Sequence, residues 1–368
     1  MNRFSDEYDY LLHLLSCAVH DTIPEEKPDM LSFERVLECG IEHEVANFAF
    51  LAVQKLKDPP DAKLMNRWEQ VYWQAVNRDH LQSKARAEIL HALHANGIDT
   101  LEVQGTVVKD FYPERHLRMM SDLDFIVPEE QLGKLVGIMQ ELGYEASVFE
   151  NTEVDAHKGS AHVELHTEFF EEENVTRPAL NHPFSYAELH DDHTATVSDT
   201  VFYLFHLLHT IKHCTQKGSG FRRILDLYYL EDALQGKVDS EYIDKVLKQH
   251  GFYELKEMLL DVMKHWFHGI EPKIDISEFE ADIKTAGNHG TKELYYKYKF
   301  AREKAEGKRF AKLRYFFTFA FPPKEYLYQK YPFCEKHHYP LLLCWIHRFN
   351  CSLFSKDSRK NWKTVFRN

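Results

Sequence analysis

Six residues, Asp122-Leu123-Asp124-Phe125-Ile126-Val127, constrain this chain more than any other stretch. A β-strand sends successive side chains to opposite faces, so Asp122 and Asp124 project together while Leu123, Phe125 and Val127 are buried behind them. Upstream, the stretch from Thr100 to Val103 reads as a strand that ends in Gln104-Gly105-Thr106, a glycine turn into a short helix over 106–112. Downstream, forty residues past Asp124, Val163-Glu164-Leu165-His166 reads as a further strand, with Glu164 and His166 on one face. Two carboxylates on one strand and a third from a neighbouring strand can hold two divalent cations roughly 3.5–4 Å apart, an arrangement that clamps a phosphoryl group in transfer.

The spacing alone is weak. With 58 acids in 368 residues, roughly nine acid-x-acid pairs arise by chance, and Glu42/Glu44 and Glu278/Glu280 are of that kind. Asp122/Asp124 is set apart by its apolar spacer, its apolar tail, the upstream glycine turn and the later apolar-acid-apolar triplet.

These motifs together resemble the DNA polymerase β-type nucleotidyltransferase superfamily. Within it, Tyr112-Pro113, Arg118, Ser121 to Asp124, Leu142-Gly143-Tyr144 and Glu164-Leu165-His166 resemble a family of largely uncharacterised bacterial nucleotidyltransferases. The resemblance is densest over about 70 residues. It continues more faintly through His206, His209, His213, Arg222 and Asp226 to the Phe321-Pro322-Pro323 to Tyr331-Pro332 segment. It implies a Mg²⁺-dependent enzyme, with two ions and Mn²⁺ as the alternative, that moves a nucleoside monophosphate from a nucleoside triphosphate, ATP first among them, to an acceptor hydroxyl. Asp122, Asp124 and Glu164 would be both catalytic and metal-holding. Gly105 and Thr106 would hold phosphates through the amides of Thr106 and Val107 and the Thr106 hydroxyl. Arg118 would bridge phosphate oxygens or pin the carboxylates, and His166 would meet metal, bound water or acceptor. The family commonly has Lys just before the glycine, where this chain has Gln104. Two other readings follow: a nucleotide-binding module that has lost turnover with that Lys, and an enzyme directed to RNA. The acceptor, whether small molecule, sugar, protein or RNA, is not written in the sequence.

The wider chain suits an α+β fold in which a small mixed sheet is flanked by helices. From Ser5 to Asn96 apolar residues recur at three-and-four spacing, as in Tyr10, Leu11, Leu14, Leu15 and Val19. Asp58-Pro59-Pro60-Asp61 interrupts them, and a long helix from Ala62 to His94 should stop at Asn96-Gly97. Residues 97–195 alternate short strands and helices, and helices resume after Asp199. The expected organisation is therefore a helical region over 1–96, a nucleotidyltransferase core over 97–195 and a helical region with a basic tail over 196–368. His206, His209 and His213 share a helix face, but no His-Glu-x-x-His accompanies them, so that helix is expected to pack through Phe202, Leu204, Phe205, Leu207, Leu208 and Ile211. Lys212, Arg222 and Arg223 would then turn toward nucleotide or acceptor.

Charge is divided unevenly. The net charge is −13, yet residues 301–368 hold 15 Lys and Arg against 5 Asp and Glu, which leaves −23 on the rest. Such a tail either folds back on the acidic body or meets an anionic partner, RNA included. Six scattered cysteines without a Cys-x-x-Cys pair are expected to be reduced thiols. The longest apolar run, near Leu341 to Ile346, is too short to cross a bilayer, and Met1 to Glu7 lacks the layout of a signal peptide, so a cytoplasmic protein without a membrane partner is expected. The phosphate-loop, dinucleotide and nucleophile-elbow motifs are all absent.

Overall fold

The computed structural model describes residues 4–149, 153–171 and 174–305, with 327, 336 and 343–346. The Phe321 to Pro332 segment, Cys334, Cys351 and most of the basic tail lie outside the described residues. Two compact units are present. The larger comprises Met1–His213 and Ser219–Asn288; the smaller takes in Cys214–Gly218 and begins again at His289.

Four helices come first: α1 (Glu7–Val19), α2 (Phe33–Glu42), α3 (Ala46–Val53) and α4 (Ala62–Ala95). The bounds of α4 follow from local chemistry. Two prolines prevent an earlier start, the Asp61 side chain accepts from the Leu64 N–H at 2.9 Å as N-cap, and Gly97 takes the left-handed φ of 69° just past the end. Next come β1 (Thr100–Leu101), α5 (Gly105–Val108), β2 (Leu123–Ile126), α6 (Leu132–Glu141), β3 (Glu145–Phe149), β4 (Glu153–Lys158), β5 (Ala161–His166), β6 (Ala187–Leu189) and β7 (Thr194–Val197). The larger unit closes with α8 (Phe221–Leu234), α9 (Ser240–Gln249), α10 (Tyr253–His268) and α11 (Ser277–Ala286), after α7 (Asp199–Gln216) has run from this unit into the other. Of these strands, β4, β6 and β7 are absent from the sequence-based expectation, and β1 is two residues shorter than expected.

The seven strands form one mixed sheet in the order β3-β4-β5-β2-β1-β7-β6. β2 runs parallel to β5 and β1 parallel to β7; the other neighbours are antiparallel. One face is apolar: Leu123, Phe125, Val127, Val154, Ala156, Val163 and Leu165 pack with Ile89 and Leu93 of α4 and with Leu135, Ile138 and Met139 of α6. The period-two alternation therefore turns the acids of the same strands to the opposite face, away from those helices.

On α7 the expected apolar set, Phe202, Leu204, Phe205, Leu207, Leu208 and Ile211, is buried throughout. In the smaller unit the described helix is α12 (Lys292–Ala305), where Tyr296 and Phe300 pack together. The Thr291 N–H donates to the Lys217 carbonyl at 2.9 Å there. Cys17, Cys39, Cys214 and Cys344 are free thiols, all buried. No helix among the described residues is long and apolar enough to cross a membrane.

Candidate active site

Parallel pairing of β2 with β5 sets Asp124 opposite Glu164 and Ile126 opposite His166. Asp122 immediately precedes β2 on the same side. Two groups capable of holding a metal ion result, Asp124/Glu164/His166 and Asp122/His162/Glu164, with Glu164 in both and the ligand atoms of each within 4.8 Å of one another. The three carboxylates expected from the sequence thus come together, and His166 joins them.

Electrostatics here are dominated by burial and crowding. Burial pushes the Asp124 carboxyl up to about 6, and the like charges of Asp122 and Glu164 add to that against the pull of His166. His166 Nε2 lies 3.4 Å from Asp124 Oδ1 and 3.3 Å from Glu164 Oε2, while Nδ1 lies 3.0 Å from Glu153 Oε2. A carboxylate stands at each nitrogen, which favours the doubly protonated ring. Burial alone would disfavour that form, but the hydrogen bonds to Asp124, Glu153 and Glu164 outweigh it and hold the pKa well above the ordinary value.

A pH dependence follows. Asp124 and His166 both keep a proton in the fold that they would lose in the unfolded chain, so the stability they contribute is present at low pH and fades as pH rises, first through about 6 for Asp124. The effect for Asp124 is on the order of 2 kcal/mol. Thermal melts of the chelator-treated protein against pH should show it as a fall that Asp124→Asn lacks; parallel profiles for the two proteins would contradict it.

The loop before Asp122 is held from three sides. Asn47 of α3 donates through Nδ2 to the carbonyls of His116 (2.8 Å) and Leu117 (3.0 Å). Gln82 of α4 donates to Met120 O at 3.1 Å, and Arg222 of α8 to Met119 O at 2.8 Å while pairing with Glu44. The amides of α3 and α4 therefore fix the backbone that delivers Asp122 to the start of β2.

Arg118 is taken up inside this scaffold. Its Nε and Nη2 donate to the two carboxylate oxygens of Asp226 on α8 at 2.8 and 2.9 Å, and the Tyr112 hydroxyl donates to the same carboxylate at 2.6 Å. Burial opposes ionisation of Asp226, but Arg118 outweighs it and holds the carboxyl below its usual range. Arg118 thus pins α8, not the carboxylate pair, and its remaining Nη1 reaches the Gly105 carbonyl at 3.5 Å.

Gly105 is required for space. A Cβ there would stand 2.7 Å from Arg118 Nη1 and 3.0 Å from Met120 Sδ. Gly105→Ala should consequently cost about 1–3 kcal/mol in urea denaturation, by displacing the Arg118 fork; unchanged stability would mean that the fork yields freely. The Val107 N–H, expected as a phosphate donor, is instead spent on the Gln104 carbonyl at 3.0 Å, so the amides of Gly105 and Thr106 are the ones left for that role. The Thr106 hydroxyl is buried without a hydrogen-bond partner. Gln104 caps nothing with its side chain.

On α7 and α8 the polar side chains expected to face a substrate are largely engaged. Lys212 pairs with Glu171 at 2.6 Å, Arg222 with Glu44, and Arg223 contacts His209 Nδ1 at 3.4 Å. His206 is buried and neutral, its pKa lowered to about 3 by desolvation.

Reading from sequence missed the polar face of β4. Glu153, Asp155 and His157 alternate there and face His166, Glu164 and His162 of β5. The available signal was two polar-apolar alternations, Glu153 to Lys158 and Ala161 to His166, around Gly159-Ser160, which marks a two-residue hairpin.

A mixed sheet with helices against one face and, on the other, an Asp-x-Asp pair completed by an acid from the adjacent parallel strand is the arrangement of a nucleotidyltransferase. The sequence model of the family described as "uncharacterised nucleotidyltransferase" matches residues 29–268, and the chain belongs to that family. The match takes in α2 through α10, a wider span than the 70 residues where the motifs are densest. No curated protein matches the chain. Among solved structures, the solution structure of the antibiotic-resistance factor ANT(2'')-Ia is similar at 13% identity and a TM-score of 0.34, covering 52% of this chain and 100% of its own.

Proposed function

We propose that this transferase moves a nucleoside monophosphate from a nucleoside triphosphate, ATP as first candidate, to an acceptor hydroxyl, and that Asp122, Asp124 and Glu164 hold Mg²⁺ for the purpose. The observation that carries the reading is the in-register pairing of Asp124 with Glu164 beside Asp122. Three carboxylates crowded on one face of the interior strands β2 and β5, one of them buried and with its pKa raised to about 6, fit a hard divalent cation, which takes oxygen ligands and relieves their repulsion. Mn²⁺ accepts the same donors. Bound there, Mg²⁺ would polarise the phosphoryl oxygens and acidify the acceptor hydroxyl.

The residues of the chain do the rest. A bond forms between the acceptor oxygen and the α-phosphorus as the bond to the pyrophosphate oxygen breaks in line with it, so catalysis consists chiefly of positioning and charge stabilisation. Asp124, fixed between strands, sets the orientation of the reacting phosphate. His166, with Nε2 3.4 Å from Asp124 and 3.3 Å from Glu164, offsets their charge where a cation would otherwise do so. The amides of Gly105 and Thr106 are the candidates for the β and γ phosphates, and Gln104 offers them a neutral amide where the resembled family commonly has Lys. Arg118 positions this turn through Gly105.

The test is a titration of Mg²⁺ and each nucleoside triphosphate against the wild type and the Asp122→Asn/Asp124→Asn variant, following melting temperature and pyrophosphate release together. Metal-dependent stabilisation by one nucleotide, absent in the variant, and pyrophosphate release are expected. Stabilisation without pyrophosphate under any acceptor supply would point to the nucleotide-binding module. No stabilisation in either protein would overturn the reading. RNA as acceptor rests on the basic residues 301–368, most of which lie outside the described residues.

A further inference from the structure

Beside the proposed nucleotide site, the β4–β5 hairpin carries a second group of different chemistry. His157 and His162 are directly paired across the strands, and Asp155 stands one row further on the same face, opposite Glu164. His162 Nε2 is 2.7 Å from Asp155 Oδ1 and His157 Nε2 is 3.2 Å from Asp155 Oδ2, so both imidazoles turn the same nitrogen to one carboxylate. The rings are stacked, with centroids 4.3 Å apart and an interplanar angle of 7°. One ligand atom from each of the three residues lies within 4.8 Å of the others.

From this geometry we propose that Asp155, His157 and His162 form a binding site for a borderline divalent metal ion, Zn²⁺ foremost, adjoining the carboxylate site for Mg²⁺, whose Glu164 lies 3.5 Å from the shared His162. The donor set decides the metal. Two imidazoles and one carboxylate suit Zn²⁺ and its transition-metal neighbours, whereas Mg²⁺ seeks oxygen ligands and rarely leaves water for nitrogen. Three protein ligands leave room for water or an exogenous group in the fourth position. The scaffold suits the role, because all three residues sit on a hairpin closed by the two-residue turn Gly159-Ser160, whose strands fix the spacing before metal arrives. Binding would tilt the stacked rings so that their lone pairs converge and would replace the Asp155 hydrogen bonds with metal bonds. The side chains of His157 and His162 are 55% and 30% exposed, so the ion has direct access from solvent.

This inference does not depend on catalysis and is tested without it. The metal-stripped full chain is titrated with Zn²⁺ in competition with a chromophoric chelator, and with Co²⁺ by visible absorption, for the wild type, His157→Ala, Asp155→Asn and Asp124→Asn. Expected is one equivalent of Zn²⁺ in the wild type and in Asp124→Asn, with affinity lower by about tenfold or more in His157→Ala and Asp155→Asn. The Co²⁺ band should weaken in the same two variants. Zn²⁺ should also slow amide exchange in β4 and β5 in the wild type but not in His157→Ala. Binding that survives His157→Ala and is lost in Asp124→Asn would place the ion among the catalytic carboxylates and overturn the proposal, as would no binding in the wild type. Circular dichroism of His157→Ala, altered at an exposed position, keeps misfolding apart from ligand loss.

Discussion

Asp124→Asn should lower pyrophosphate release by at least roughly 10²–10³-fold, the scale on which a positioned charge contributes to a transition state, while leaving the protein folded. The two halves of that expectation have separate causes. Asn keeps the shape of the side chain and an oxygen to accept from His166, so the β2–β5 pair loses no packing. It also removes a buried carboxyl whose charged form is disfavoured, with its pKa already at about 6, so the melting temperature should hold or rise. What Asn cannot do is bind a hard cation as an anion, and Asp122 and Glu164 alone leave the charge of a triphosphate under-compensated. Steady-state assay alongside a thermal melt reads both halves. Activity within tenfold of wild type in the variant would remove Asp124 from the catalytic set.

Breaking the Arg118–Asp226 pair should be the most damaging change to the fold. Both side chains are almost fully buried, and Asp226→Ala would leave a guanidinium without its carboxylate, a situation that costs about 3–5 kcal/mol. The Tyr112 hydroxyl would lose its acceptor as well. Replacing both partners, as Arg118→Met with Asp226→Leu, should recover much of the stability because no charge is left unpaired. The double variant also separates two roles for Arg118. If the guanidinium only positions the Gly105 turn, activity should fall through turnover with the apparent affinity for nucleotide little altered; a loss confined to KM for the nucleotide would show that Arg118 contacts phosphate directly. Urea denaturation and initial-rate kinetics on the single and double variants supply both numbers.

The sequence made legible what local chemistry decides. Asp122 and Asp124 share a face because a strand has period two, and Leu123, Phe125 and Val127 are buried for the same reason. α4 begins after Pro59-Pro60 and ends at Gly97 because those residues allow little else. Elements made by distant pairing were hidden. β7 is four residues of Thr, Ala, Thr and Val that become a strand only by lying parallel to β1, more than ninety positions earlier. The same holds for the partner of Arg118, 108 residues away, and for Asn47 and Gln82, whose amides look like ordinary helix polarity until the carbonyls of His116, Leu117 and Met120 are set against them. β4 displayed its alternation, but with charge and histidine on the polar side it reads equally as a solvated segment.

The parallel partnership of β1 and β7 bears on how this chain can be divided. Cutting it after residue 195, where the sequence-based boundary falls, would sever β7 midway: Thr194 and Ala195 would stay beside β1, but Thr196 and Val197, the partners of Glu188 and Ala187 on β6, would be lost. A fragment made that way would present unpaired amides and carbonyls along β6, a template for another chain to add itself. An expression fragment meant to stay monodisperse should therefore run on at least through Val197 and into α7, even if only the carboxylate cluster is of interest.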